Sequence, residues 1–226
     1  MITFEGVSKS YESRGLVNEV LSNLTFSIGA NDRLAICGAN GAGKSTLMRL
    51  LAGVELPTRG TVARGLRTSW PIGLSSCFEA QTTGADNARF IARIYGRDEE
   101  ALLDFVEDFA QLGLYLHQPV VNYSSGMISR LAFGISLAID FQCYLVDEVT
   151  AVGDTRFRQR CEEELLARCE RAALVMTSHD PGTLERYCTR AAVLYGGTLT
   201  FYDSVSEALE THHRLQLNAP RLVHAS

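Results

Sequence analysis

Residues 33–53 constrain the chain more than any other stretch. Arg33-Leu-Ala-Ile-Cys37 is almost wholly apolar, the mark of a strand covered on both faces. A turn carrying Gly38, Gly41 and Gly43 follows, and Ser45 to Leu51 then reads as a helix ended by Gly53. A buried strand that passes through a tight turn into a helix belongs to a parallel sheet covered by helices. The second half repeats that alternation. Gln142 to Asp147 reads as a strand, Thr155 to Cys169 as a helix, Ala173 to Thr177 as a strand, Pro181 to Tyr187 as a helix and Ala191 to Tyr195 as a strand. Gly196-Gly197 predicts a hairpin turn into Thr198 to Tyr202.

Elsewhere the pattern changes. Ile2 to Val7 and Leu24 to Ile28 alternate apolar and polar residues, as half-buried strands do. Residues 54–82, broken by Pro57, Gly60, Gly65, Pro71 and Gly73, predict loops and short strands. Residues 84–139 read as a helical insert. Asp86 is expected to cap a helix running to about Tyr95, and Asp98 a second one in which Leu102, Phe105, Val106 and Phe109 share a face. The acids Glu99, Glu100, Asp104, Glu107 and Asp108 are expected to be a solvated face. Residues 214–226 read as a tail, with His212, His213 and His224 solvated, and the whole, 1–226, as one domain.

Composition excludes several classes. Apolar residues make up 46% of the 226, enough to bury a core, so disorder is excluded as the main state. The longest apolar run, Leu131 to Ile139, is too short to cross a bilayer and stops at Asp140. Met-Ile-Thr-Phe-Glu lacks the charged and apolar regions of a secretory signal, so a soluble, cytosolic start is expected. The six cysteines form no CxxC pair, and a disulfide framework is not expected. A net charge of −5 argues against a nucleic-acid partner. The cations are lopsided: of 21, only Lys9 and Lys44 are lysine. Arginine replaces lysine on most solvated faces but not where a compact point charge is needed, which singles out both lysines.

Gly38-Ala39-Asn40-Gly41-Ala42-Gly43-Lys44-Ser45 fits the phosphate-binding pattern G-x-x-x-x-G-K-[ST], placed between strand and helix as its mechanism requires. The glycines let backbone N–H groups converge on phosphates, and the helix N-terminus adds positive potential. Lys44 offers a point charge to the β- and γ-phosphates of ATP, and Ser45 a hydroxyl to Mg²⁺. Cys143-Tyr-Leu-Val-Asp147-Glu148 is an apolar strand ending in two carboxylates, which a parallel sheet places in the ligand crevice. Asp147 there is expected to hold Mg²⁺ through water, and Glu148 to polarise a water toward the γ-phosphate.

With these residues the chain resembles the ABC-transporter ATPases, over about Ile2 to Ala208. Tyr123-Ser124-Ser125-Gly126-Met127 is similar to that family's signature, Ala151-Val-Gly-Asp154 occupies the place of its D-loop, and His179 the place of its switch histidine. Tyr11 lies where an aromatic stacks on adenine. The resemblance implies an α/β P-loop NTPase of ABC type: a mostly parallel sheet core, an N-terminal antiparallel β subdomain and a helical insert. It implies a nucleotide site built from Tyr11, Gly38 to Thr46 and, from the other chain of a head-to-tail homodimer, Ser124, Ser125 and Gly126. Lys44, Glu148 and His179 would be catalytic.

Trp70-Pro-Ile-Gly-Leu74, Tyr123-Ser-Ser-Gly-Met127 and Val149-Thr-Ala-Val-Gly-Asp154 resemble most closely the ATPases that export capsular polysaccharide. Relatives exporting O-antigen or teichoic acid look similar and often carry a further C-terminal domain; a soluble ABC ATPase outside transport is the rival of another class. The expected partners are a polytopic permease reached through about residues 75–94, a periplasmic adaptor and an outer-membrane component, with this chain peripheral on the cytoplasmic face of the inner membrane. One position departs from the family. Its Q-loop glutamine should follow Phe78, where Glu79 stands, with Gln81 two places on. Glu79 is expected to contact Mg²⁺; the alternatives are that Gln81 does so, or that Glu79 is held by a basic residue of the permease or by Arg89 or Arg93.

Overall fold

The computed structural model describes residues 1–13, 15–72, 78–147 and 155–218. Its centre is a six-stranded sheet ordered β5 (Thr68–Ile72), β6 (Cys143–Asp147), β7 (Ala173–Thr177), β3 (Arg33–Cys37), β8 (Arg190–Tyr195), β9 (Thr198–Tyr202). The first five strands are parallel, and β9 returns antiparallel to β8 through Gly196 and Gly197, both at positive φ. Beside it, β1 (Ile2–Ser13), β2 (Leu16–Ile28) and β4 (Arg59–Arg64) form an antiparallel sheet ordered β2-β1-β4.

The near-continuous apolar strands are explained by what lies on each face. Along β3, Leu34 and Ile36 point to one core and Ala35 and Cys37 to the other; Cys143 and Leu145 against Tyr144 and Val146 repeat this on β6. One core joins the sheet to α1 (Lys44–Ala52) and to Ile2, Phe4, Val7 and Leu21 of the antiparallel sheet. The other joins it to α2 (Gly84–Ile94), α3 (Glu99–Ala110), α4 (Ser125–Ala138), α5 (Thr155–Cys169), α6 (Pro181–Tyr187) and α7 (Val205–Asn218). Trp70 Nε1 donates to Ser136 Oγ at 2.8 Å, tying β5 to α4. No described helix is long and apolar enough to cross a membrane. Five cysteines are buried free thiols, with pKa values pushed up by burial, and Cys77 lies outside the described residues.

Several expectations need correction. The N-cap of α2 is Thr83, whose Oγ1 accepts from the Asp86 N–H at 3.0 Å and donates to the Asp86 carboxylate at 2.7 Å. Asp86 is the third residue of the helix, and its carboxylate accepts from the capping hydroxyl. The expected tail is in its first part the end of α7, which packs Val205 and Ala208 into the core. The acids of α3 are not simply solvated. Glu99 pairs with Arg93, Glu100 with Arg89 and Asp108 with Arg160.

Candidate functional site

The carboxyl ends of β6, β7 and β3, neighbours in the sheet, carry the site. From Cys37 the chain turns through residues 38–43 into α1, whose N-cap is Gly43 at φ 106°. A Cβ on Gly43 would stand 2.7 Å from Val20 Cγ1, and one on Gly38 2.9 Å from the Leu194 carbonyl, so both positions require glycine for this path. The loop borders a cavity of about 420 Å³ walled by Val20, Asn40, Gly41, Gly43, Lys44, Ser45, Thr46 and His179. Lys44 is 8% exposed, and its ammonium donates to the carbonyls of Gly38 at 2.8 Å and Ala39 at 3.2 Å. These bonds point a buried positive charge across the mouth of the loop.

Asp147 ends β6 opposite Thr177 on β7, and its Oδ1 accepts from Thr177 Oγ1 at 2.6 Å. His179 follows β7 by two residues. A second cavity, of about 350 Å³, shares Lys44 and His179 with the first, is bordered by Gly38, and is closed by His212 and His213 of α7. His212 is therefore half-buried rather than solvated: burial, then Lys44, His213 and His179, push its pKa down.

Tyr11 reaches the far side of α1. Its Oη donates to Glu55 at 2.8 Å and stands 3.4 Å from Thr46 Oγ1. Ser124 and Ser125 are exposed, with Ser124 capping α4 and Gly126 half-buried; none of them borders the phosphate-loop cavity. Glu148 and residues 149–154 lie outside the described residues, as do Gly73 to Cys77. Glu79 and Gln81 are both exposed, and a Glu79 carboxylate oxygen accepts the Gln81 N–H at 3.2 Å. Arg89 and Arg93 pair with Glu100 and Glu99 rather than with Glu79. Asn87 anchors the loop by accepting the Glu79 N–H at 2.9 Å and donating to its carbonyl at 3.1 Å.

The donor set fits a magnesium nucleotide. A loop whose path two added Cβ atoms would disturb, a buried ammonium, the exposed Ser45 hydroxyl and an acid at a strand end are groups that suit a triphosphate and a hard, oxygen-seeking cation. The sequence pattern does not point to Val20, which β2 brings to the loop, or to Arg49 of α1 and Glu55 just beyond it; Lys9 is marked only by the rarity of lysine.

A family model described as "ABC transporter" matches residues 21–151. The chain belongs to the ABC transporter family. Its fold is that of an ABC ATPase cassette: the dimeric post-hydrolysis structure of MJ0796 bound to ADP and Pi superimposes with a TM-score of 0.78 at 18% identity, over 90% of this chain and 98% of that one. The capsule polysaccharide export ATP-binding protein CtrD of Neisseria meningitidis is 44% identical over 95% of this ABC ATPase and its own full length. The ATP-binding protein BexA of Haemophilus influenzae is 42% identical over 96% of the chain and all of its own length. The teichoic acids export ATP-binding protein TagH of Bacillus anthracis is more distant, 33% identical over 87% of this chain and 36% of its own.

Proposed function

We propose that this ABC ATPase powers the export of capsular polysaccharide. The observation that carries the reading is the convergence of the phosphate loop, Asp147 and His179 at the ends of three adjacent strands, in a chain that aligns end to end with a capsule export protein. Lys44 neutralises the β- and γ-phosphates of ATP, and the loop N–H groups and the start of α1 bind them. Ser45 and Asp147 hold Mg²⁺, with Glu79 as a further oxygen donor. Bound there, Mg²⁺ offsets the charge on the phosphoryl oxygens. Glu148 accepts the proton of the attacking water, and His179 orients the γ-phosphate, giving ADP and phosphate.

Tyr11 stacks on the base. The signature Ser124–Gly126 completes the site of a second copy, so two chains pack head to tail, closed by ATP and released by hydrolysis. The surface formed by about residues 75–94 passes this closure to a polytopic permease. A periplasmic adaptor and an outer-membrane component continue the path, and the chain works at the cytoplasmic face of the inner membrane.

The test is purification from detergent-solubilised membranes together with turnover by Glu148→Gln. The reading expects a multi-spanning partner, surface polysaccharide lost on deletion, and hydrolysis slowed at least ~10²-fold with ATP binding kept. Copurifying ribosomes or nucleic acid, or wild-type turnover in Glu148→Gln, would overturn it.

A further inference from the structure

The base-stacking candidate Tyr11 is not a free aromatic. Its hydroxyl donates to Glu55 Oε2 at 2.8 Å and accepts from Arg49 Nη2 at 3.1 Å. The same guanidinium donates from Nε to Glu55 Oε2 at 3.0 Å and from Nη2 to Thr46 Oγ1 at 3.1 Å. Lys9 closes the cluster: its ammonium lies 2.9 Å from Glu55 Oε1, 2.9 Å from the Leu56 carbonyl and 5.1 Å from the centroid of the Tyr11 ring. Burial alone would raise the Glu55 pKa, but hydrogen bonds from Lys9, Arg49 and Tyr11 hold it down at about 2. Glu55 is thus an anion at any pH at which the protein works, and three donors converge on it. Thr46, at the other end of the chain of bonds, borders the phosphate cavity.

We propose that Glu55 and Arg49 are positioning residues that clamp Tyr11 in the orientation that receives adenine and join it to Thr46, so that base and phosphates are recognised as one rigid unit. The proposal rests on the reading of the cavity as an ATP site. A tyrosine held by its hydroxyl has lost its side-chain freedom before the ligand arrives; an untethered ring loses it on binding, at the expense of affinity. Lys9 covers one face of the ring, and the base stacks on the other. Turnover is a matter for groups at the γ-phosphate, so loosening the clamp weakens capture of ATP and leaves the chemical step alone.

The experiment compares the full chain with Glu55→Gln, Tyr11→Phe and the double variant, using ATP and inorganic tripolyphosphate as probes, with Lys44→Ala as a control. Tyr11→Phe keeps the ring and removes only the tethered hydroxyl, so it reports on the clamp even where Glu55→Gln disturbs folding. Each single variant should raise the ATP Kd and KM about 3- to 10-fold with kcat held. The tripolyphosphate Kd should stay constant, and the double variant should be no worse than either single one. Equal weakening of both probes would make Glu55 a support of α1 only and overturn the proposal. Additive losses, or a fall in kcat with KM unchanged, would do the same. Lys44→Ala separates the two readings: it should weaken both probes whether or not the clamp exists, and if it weakens neither, the ATP site itself is misplaced.

Discussion

Two helix N-termini face the proposed chemistry, and they are built in opposite ways. α1 begins on Gly43, which has no side chain to cap it, beside a cavity walled by its own loop and the buried Lys44. α4 begins on Ser124, whose hydroxyl accepts the Met127 N–H at 3.3 Å, and its first residues are exposed away from that cavity. An uncapped start leaves backbone donors to a ligand from solvent. A capped, exposed start is stable without a ligand. The difference matches the proposed division of labour, in which α1 serves the chain's own phosphate cradle and the start of α4 completes that of a second copy.

The sharpest way to break that comparison is Gly126→Asp. A Cβ at Gly126 meets only Ser124 Oγ, at 3.9 Å, and a carboxylate near a helix start is electrostatically favourable, so the fold should keep its thermal stability. The homodimer should nevertheless be inactive, because the new charge faces the partner's γ-phosphate. Mixed with Lys44→Ala chains, it should regain part of its ATPase, since one site of the mixed dimer then carries neither lesion. No recovery in a demonstrably mixed dimer would show that the two helix starts do not meet in trans.

Next in size is Lys44→Ala itself, which removes a charge-assisted contact and should weaken ATP binding about 10- to 100-fold by calorimetry. Unchanged affinity would strip the first helix start of its role. Ser124→Ala should cost about 1 kcal/mol in chemical unfolding, the usual worth of an N-cap, with ATP binding by the isolated chain untouched. The smallest effect concerns His212 behind the phosphate loop. Its lowered pKa means that the unfolded chain takes up the proton first as pH falls, so its share of stability is full above pH ~6.5 and is lost below. His212→Gln should flatten the unfolding free energy between about pH 7 and 5; an unchanged slope would place the titration elsewhere.

The sequence was most readable where one segment carries its own constraint. The run from Arg33 to Gly53 needs no distant partner to define it, and β3 and α1 lie where its pattern puts them. β1 was read too short because its alternation is broken: Gly6 sits at φ 58°, and the register with β2 shifts three times between Phe4 and Ser10. α7 was overlooked although Val205, Ala208, Leu209 and His212 keep helical spacing, because histidines read as polar hid the fourth member of the stripe. The Tyr11 cluster was legible only in Tyr11 and, through the rarity of lysine, Lys9, since residues 9, 11, 49 and 55 come together through the packing of β1 beside the end of α1. Of the signature, the sequence disclosed the cap and the structure its isolation from the cavity.

The scarcity of lysine has a practical consequence. Lys9 and Lys44, the chain's only lysines, are 14% and 8% exposed; Lys44 lines the candidate phosphate cavity and Lys9 belongs to the Tyr11–Glu55 cluster beside it. Amine-directed acylation therefore finds no exposed lysine on the outer surface. A reagent that would speckle an ordinary protein becomes an occupancy footprint here: the two internal amines should react slowly, and more slowly still once ATP is bound.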